Sequence, residues 1–455
     1  MTMVDISRIV VSTLTVGALG ISALAVAQEW SPFASETVEL STIVTPEAVT
    51  RNLSCTGAAI ASVADSTQWT QLGATDVALS GGAIAGSFTT DSSPTGAIIA
   101  HDGDPNAVVA AESIELFTDN MVGFLATECS DALNSAWLVG GSTETGRDAV
   151  LTISNPARVD ARVDLEFYGA EGFIEAPASR GIIVPAGAQR SYSLAGFAPN
   201  ESSPVIHVVS NGAPVWATLQ VSTVRGLVPG GLDRITAVDE PATVLSIPLI
   251  REPDAEVIGP LRSEPGYDDT ETMVRLFVPG SEDATITMTF TPHASDDEPF
   301  DVTTEIAAQK VVDIPVAELH DGDFTVTITS TTPLFATARV SSHNMDTEVT
   351  DVAWAPALAA SNQLSAAAIP FRGTLAISNP QDTEVSVVVT ANGVESTVIV
   401  GAFGTTPLTV KAGSVYLRSD SPYVSTIFIE TPNGIAVIRP RPAPLGAQAV
   451  TVIAH

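Results

Sequence analysis

The phrase "LTISNP" at residues 151–156 returns as "LAISNP" at residues 375–380. In each copy an apolar and hydroxylic strand pattern runs into Asn-Pro, a pair that ends a strand and fixes a turn. A chain that repeats such a phrase at long separation is built from repeated units, and this limits its folds more than composition does. Trp137 in "AWLVGG" precedes Asn155 of the first copy, and Trp354 in "VAWAPA" precedes Asn379 of the second. A weaker version, "VRLFVPG" at 274–280, begins a further unit.

A second phrase occurs four times, around Ala126-Thr127, Ala217-Thr218, Ala336-Thr337 and Ser425-Thr426. The last three follow Pro214, Pro333 and Pro422, each preceded by an alternating strand and a turn, as in "VIHVVSNGAP". This predicts hairpins with Pro at the far edge of the turn, where a missing amide costs least. Successive Thr positions lie roughly 90 to 120 residues apart, the length of an immunoglobulin-like sandwich. Alternate members are almost equally separated, so the unit of duplication is a pair of modules.

The predicted fold is all-β: about four tandem immunoglobulin-like β-sandwich modules after an N-terminal transmembrane or signal helix. Hydrophobic residues make up 45% of the 455 but aromatics only 5%, and a chain whose apolar pattern is carried by Val, Ile, Thr and Ala favours many short strands. The expected organisation is a signal anchor or signal peptide at 1–28, an acidic spacer at 29–47, and β modules at 48–136, 137–240, 241–350 and 351–455. The segment 251–271, "REPDAEVIGPLRSEPGYDDTE", reads as a Pro-rich, charged insertion or long loop inside the third module.

Residues Ile9 to Ala27 carry no charge, and about twenty such residues suffice to cross a hydrocarbon core as a helix. Arg8 precedes them and Glu29, Glu36, Glu39 and Glu47 follow, so the N-terminus is expected inside and the rest exported. "AVA" at 25–27 has the small-x-small form of a cleavage site. A retained membrane anchor is the preferred expectation, with secretion after cleavage at Ala27 as the alternative. No cysteine lies near the end of this stretch, which argues against a lipoprotein, and "QAVTVIAH" does not read as a wall-sorting signal.

The net charge of −33 repels phosphate backbones and anionic lipid head groups, which argues against nucleic-acid or peripheral membrane binding. Cys55 and Cys129 are the only cysteines. Export to an oxidising compartment favours their disulfide, a staple for the first module. No zinc site is expected without neighbouring His or Cys ligands.

The stretch "WLVGGSTETGRDAVLTISNP" at 137–156, followed by "VDLEFYGAEG" and "IIVPAG", resembles an uncharacterised family of actinobacterial membrane-anchored or secreted proteins, a domain of unknown function. Trp137, Gly140, Gly141, Gly146, Arg147, Asn155 and Pro156 carry the resemblance, with Gly169, Pro185 and Gly187 behind them. It covers most of the exported chain, more faintly after residue 240. It implies a β-rich exported protein of a Gram-positive envelope, and it supplies no activity and no catalytic residues.

Three constellations are weighed as sites. "HDGDPN" at 101–106, echoed by "HDGD" at 320–323, places Asp102, Asp104 and Asn106 at the alternate spacing of a calcium loop. Ala107 stands where a Gly should bend the loop, and Asp-Gly is itself a hairpin turn signal, so turn chemistry is the stronger reading. Asp296, Asp297, Glu298 and Asp301 in "ASDDEPFD" offer paired carboxylates, but glycosidase chemistry needs a cleft that separates their pKa values, and a solvated turn explains them. Ser142, Thr143, Thr145 and Arg147 in "GGSTETGR" can hydrogen-bond a sugar or an anion, although a linker between the first two modules accounts for them as well.

No nucleophile elbow, Ser-x-x-Lys, His-Glu-x-x-His or phosphate-cradling loop is present. Trp216 and Phe335, beside their Ala-Thr pairs, read as core. The expectation is therefore a non-enzymatic extracytoplasmic envelope protein, a structural or interaction scaffold without a cofactor. The alternative is a glycan-binding accessory protein of envelope polysaccharide assembly, whose partner is envelope glycan or a membrane-bound assembly enzyme. A hydrolase with unrecognised carboxylates ranks last.

Overall fold

The computed structural model describes residues 40–44, 52–62, 69–89, 96–101, 108–293, 298–316, 319–442 and 450–454. The predicted anchor at 9–27 lies outside them. Within the terminal unit, β1 (Leu40–Val44) pairs antiparallel with the last strand, Val450–Ala454, in the register Leu40 to Ala454. The sandwich strands belong to the larger unit, Thr50–Pro444.

The first set of strands comprises β2 (Asn52–Ser54), β3 (Ala59–Ser62), β4 (Trp69–Leu72), β5 (Asp76–Ser80), β6 (Gly82–Ser87), β7 (Ala97–His101), β8 (Val109–Phe117) and β9 (Val122–Glu128). They form sheets ordered β2-β7-β6 and β5-β8-β9 and a hairpin β3-β4. The second set comprises β10 (Ser135–Val139), β11 (Arg147–Ser154), β12 (Ala161–Gly169), β13 (Gly172–Ile174), β14 (Ile182–Val184), β15 (Gln189–Ser193), β16 (Val205–Asn211), β17 (Trp216–Arg225) and β18 (Val228–Thr236). One of its sheets is β10-β16-β12 with β13 and β14 on β12, and the other is β15-β11-β17-β18.

That plan recurs twice. The third set comprises β19 (Ala242–Glu252), β20 (Met273–Phe277), β21 (Ala284–Pro292), β22 (Phe300–Ile306), β23 (Val311–Pro315), β24 (Gly322–Asn344) and β25 (Val349–Pro356). Its orders are β19-β24-β21-β22 and β23-β20-β24-β25, the long β24 serving both sheets. The fourth set comprises β26 (Ser365–Ile369), β27 (Gly373–Ser378), β28 (Val385–Ala391), β29 (Val394–Val400), β30 (Thr405–Val410), β31 (Gly413–Arg418), β32 (Val424–Thr431), β33 (Gly434–Ile438) and β34 (Arg441–Pro442). Its orders are β34-β26-β31-β28-β29 and β30-β27-β32-β33. The last strand of the chain is β35 (Val450–Ala454).

The chain is thus all-β in two-sheet sandwiches, as its alternating patterns predict. The strand β12, "ARVDLEFYG", buries every second residue, and β28 begins the same way, which is the period-two signature of a strand with one face on a core. Relative to the immunoglobulin plan, the first strand and the strand before the final hairpin partner have exchanged sheets: β10 pairs with β16, and β17 with β11.

The expected hairpins at Pro214, Pro333 and Pro422 are arches instead. The strands β16 and β17 lie in opposite sheets, as do β31 and β32, and β24 passes Pro333 as it crosses from one sheet to the other. The physical reason is burial: both flanking segments carry inward apolar residues, Val326 and Ile328 before the crossing and Ala336 and Ala338 after it. Two sheets facing one core satisfy both. The equivalence of Ala126-Thr127 also fails, because these residues lie on β9, whereas Thr218, Thr337 and Thr426 lie on the preceding strand of their own sets. Trp137 and Trp354 are not equivalent either: Trp137 is on β10, a first strand, and Trp354 is on β25, a last strand. Finally, the loop at 251–271 contains a helix, α1 (Ala255–Arg262), capped by the Asp254 side chain at Glu256 N–H, 2.8 Å.

The four sets close into a ring. The strand β9 packs on β18, β18 on β25, β25 on β33, and β33 on β9, so the last hairpin of each set lines a common axis. These strands are buried on both faces; all seven residues of β9 are buried, which is why "VGFLATE" reads as a nearly continuous apolar run. Around the periphery each set lays its leading segment on the axial sheet of the next. Gln220 imitates a strand there: its Nε2 donates to Ile60 O at 2.7 Å and its Oε1 accepts Ile60 N–H at 2.9 Å. Gln189 does the same with Thr56 O and Gly96 N–H, at 2.9 and 3.0 Å. Trp216 and Phe335 are both buried, in the seams between sets: Trp216 Nε1 donates to Thr56 Oγ1 at 3.2 Å, and Phe335 packs 5.1 Å from Trp137.

Candidate functional site

Two polar features stand out in the interior. The first lies on the axis. Gly123, Gly231 and Gly434 occupy matching places on β9, β18 and β33, each followed by an apolar residue, and Asp351 takes the fourth place on β25. The Asp351 carboxylate fills the space that Gly123 and Gly434 leave, and Val352 and Thr223 lie against Gly231. Its Oδ1 accepts Leu232 N–H at 2.8 Å, and its Oδ2 accepts Phe124 N–H at 3.1 Å and Ile435 N–H at 3.0 Å. One side chain thereby ties its own set to the other three.

Burial pushes the Asp351 carboxyl well above the usual carboxylate range, against the pull of those amides. A residue further along β18, Asp233 accepts Trp354 N–H at 2.7 Å and Arg234 N–H at 2.8 Å. Its carboxyl is raised by burial to about 7. At the far end of β9 the ordering reverses. Burial works against ionisation of Glu128, but Arg439 at 3.2 Å and Arg441 at 3.1 Å outweigh it and hold its carboxyl low. Arg234 pairs with Glu112 at 2.5 Å, both side chains 1% exposed, and Glu112 also accepts Thr56 and Gly57 N–H. Asp351, Asp233, Glu128, Glu112, Arg234 and Arg439 are all buried, so their work is to hold the ring.

The second feature is a cleft of about 380 Å³ between the second and third sets. Gly141, Ser142 and Glu144 of the loop from β10 to β11 form one wall with Arg147 at the start of β11; β17 contributes Ser222 and Thr223. The facing wall carries Asp269, Glu271, Asp313, Arg339 and Trp354. Arg275, one of the largest fully buried side chains, fixes the seam behind it. It forks onto Asp313 at 2.8 Å through both Nε and Nη2, donates to Gly141 O and Pro204 O at 2.8 and 3.2 Å through Nη1 and to Ser202 O at 3.0 Å through Nη2, and lies 4.8 Å over the Trp354 ring. Planar, multidentate bonding of this kind is particular to arginine.

The segment after α1 closes the cleft's edge. Arg225 on β17 forks onto Asp269 at 3.0 and 2.7 Å and stacks 4.7 Å over Tyr267. Burial raises the Asp148 carboxyl on the opposite wall, with only a backbone amide working against it.

The structure distributes the residues singled out in the sequence unevenly. Ser142 and Arg147 line the cleft, Thr143 is buried and bonds Ala198 O at 2.6 Å, and Thr145 is exposed. The linker reading of "GGSTETGR" does not hold, because the segment joins two strands of the same sandwich. Cys55 and Cys129 are bonded, with Cα atoms 4.5 Å apart, and join the start of the first set to the end of β9. Asp102, Asp104 and Asn106 lie outside the described residues, as do Asp296 and Asp297. In the echo at 320–323, Asp323 is held by Arg251 at 2.7 Å. Among the described residues no group of three or more His, Cys, Asp or Glu is placed to hold a metal. Glu298 and Asp301 are exposed, and Asp301 accepts Thr289 Oγ1 at 2.7 Å across the β21–β22 pair.

Asp351, Asp233, Glu128 and Arg275 escaped the sequence reading. The available signal was a lone charge within an apolar run, as in "TDVAWAP" and "VRLFVP".

Fold and site together define a class: an all-β protein of sandwich repeats closed around a polar axis, with a hydroxyl- and carboxyl-lined cleft at one seam. The chain belongs to the family of unknown function DUF5719, whose model matches residues 85–419. No curated protein matches it. Among solved structures it is similar to the FN1–FN3 domains of chicken CNTN1, at 12% identity and a TM-score of 0.12, covering 70% of this chain and 98% of that one.

Proposed function

We propose that this protein is a non-enzymatic, extracytoplasmic scaffold of an actinobacterial cell envelope, held to the membrane by residues 9–27 or secreted after cleavage at Ala27. The observation that carries the non-enzymatic part is the placement of its most perturbed carboxyls. Asp351 and Asp233 sit on the ring axis, bonded to backbone amides and closed to solvent, where they stabilise an assembly and meet no substrate. The Cys55–Cys129 bond and the uncharged stretch before residue 28 support export, since structural disulfides persist in oxidising compartments. A ring closed on itself favours a compact platform over a linear spacer.

The test is photo-crosslinking of a tagged copy in intact cells, with mass spectrometry of protein and glycan adducts, beside an alkaline phosphatase fusion that is active only if exported. Export with reproducible capture of one partner supports the scaffold. Turnover of a substrate by the purified chain, abolished by a carboxylate substitution, overturns it.

A second reading, a glycan-binding accessory protein of envelope polysaccharide assembly, is favoured by the cleft, where Ser142, Ser202, Ser222 and Thr223 present hydroxyls beside carboxylates. In that role the partner is envelope glycan or a membrane-bound assembly enzyme.

A further inference from the structure

We propose that the cleft between the second and third sandwiches is a subsite for one uncharged sugar unit of a polysaccharide, and that it rejects uronate and phosphorylated units. The proposal rests on the glycan-binding reading and adds the place, the size and the charge of the ligand.

Size comes first. About 380 Å³ falls in the range of roughly 300–1,000 Å³ typical of small-molecule sites. It suits one sugar ring with part of a neighbour and leaves no room for a folded protein element.

The lining chemistry follows. A sugar ring presents hydroxyls that both donate and accept, arranged around a face of C–H bonds. Serine hydroxyls and carboxylates on the walls match the first requirement, and Val221, Met273, Pro315 and Val352 supply apolar contacts for the second. Both kinds of surface are drawn from the second and the third sandwiches together, so the subsite exists only where these two meet.

Charge decides between sugar classes. Five carboxylates line the cleft against two arginines. Both lining guanidiniums are engaged within the protein: Arg147 donates to Gly266 O at 3.1 Å and lies 3.5 Å from Asp269, and Arg339 donates to Glu271 O at 3.3 Å, while Arg225 and Arg275 behind them hold Asp269 and Asp313. An anionic sugar would meet the remaining carboxylates, Asp148 among them, in the field of a chain with net charge −33. A neutral ring meets them as hydrogen-bond acceptors.

The experiment is calorimetric titration of the full chain with four probes: galactotetraose, arabinotetraose, tetragalacturonate and inorganic phosphate. At least one neutral probe binds and the two anions do not. Ser222→Leu, which fills the cleft, weakens neutral binding by about tenfold or more; Ser142→Val, on the loop wall, provides the same readout if the first variant melts early. Asp148→Asn narrows the gap between tetragalacturonate and the neutral probe. Neutral binding that both cleft variants leave unchanged overturns the subsite while the glycan reading stands. Preference for tetragalacturonate or phosphate also overturns it. If no probe binds and the chain is not retained on purified cell-wall polymers, both the subsite and the glycan reading fall.

Discussion

Asp351 Oδ2 accepts the backbone N–H of Ile435 at 3.0 Å, across a sequence separation of 84 residues and between two different sandwiches. Ile435 follows Gly434, whose φ of +147° and missing Cβ both make room: a Cβ there would fall against the Asp351 carboxylate. The pair shows how the ring is made specific. A glycine on one strand and an acid on another solve a single steric problem at the axis.

This relationship predicts that Asp351→Ala is severely destabilising. It strands the buried amides of Phe124, Leu232 and Ile435, each worth about 1–3 kcal/mol when left unsatisfied, so a loss on the order of 3 kcal/mol or more is expected in denaturant unfolding. Asp351→Asn, which keeps an acceptor oxygen, should cost less. Gly434→Ala should destabilise even with Asp351 intact, and an unchanged unfolding midpoint for it would contradict this axial packing.

Asp233 predicts a pH dependence. Its folded pKa of about 7 lies above the ordinary 3.8, so between those values the native state holds a proton that the unfolded state has released. Its contribution is fully present below the unfolded pKa and is lost as pH rises towards 7, at up to about 1.4 kcal/mol per pH unit. Asp351, raised in the same direction, adds to this slope, while Glu128, held low, opposes it only below about pH 4.5. Thermal melts from pH 5 to pH 8 should show stability falling with pH, and Asp233→Asn should flatten the curve.

The two copies of the opening phrase predict matched mutants. Asn155 Nδ2 donates to Val159 O, Val184 O and Pro185 O while its Oδ1 accepts Ala157 N–H. Asn379 repeats the pattern with Thr383 O, Val400 O, Gly401 O and Gln381 N–H. Asn155→Ala and Asn379→Ala should each cost about 1–3 kcal/mol and combine additively, since they lie in different sandwiches. In the weaker third copy Val278 stands at this place and its carbonyl accepts Gln309 N–H at 2.8 Å; Val278→Ala should therefore act by cavity formation alone.

The disulfide spans 74 residues. A loop of that size predicts about 4 kcal/mol of stabilisation from the unfolded chain's lost entropy. Cys129→Ser or a reductant should lower the melting temperature by a corresponding amount, and a melt insensitive to reductant would show that the ring alone holds β2 to β9.

Local pattern alone determined a good deal of this protein. The alternation in "ARVDLEFYG" and "VSVVVTA" set strands with one buried face, the repeated Ser-Asn-Pro marked a turn anchored by its own side chain, and the paired cysteines marked a bond. These are short-range properties, carried by residues within a few positions of one another. The ring belongs to the tertiary structure. Whether Pro333 sits in a hairpin or in an arch depends on which sheet the next strand joins, and that is settled by burial against residues far away in the chain. The equivalence of Gly123, Gly231, Asp351 and Gly434 is invisible in sequence because three of the four are glycines, common in any turn, and the fourth is an acid. Only the axis that brings four chain segments within hydrogen-bond reach gives Asp351 its three amides, and only the seam between two sandwiches turns Ser142 and Arg147 into one wall of a cleft.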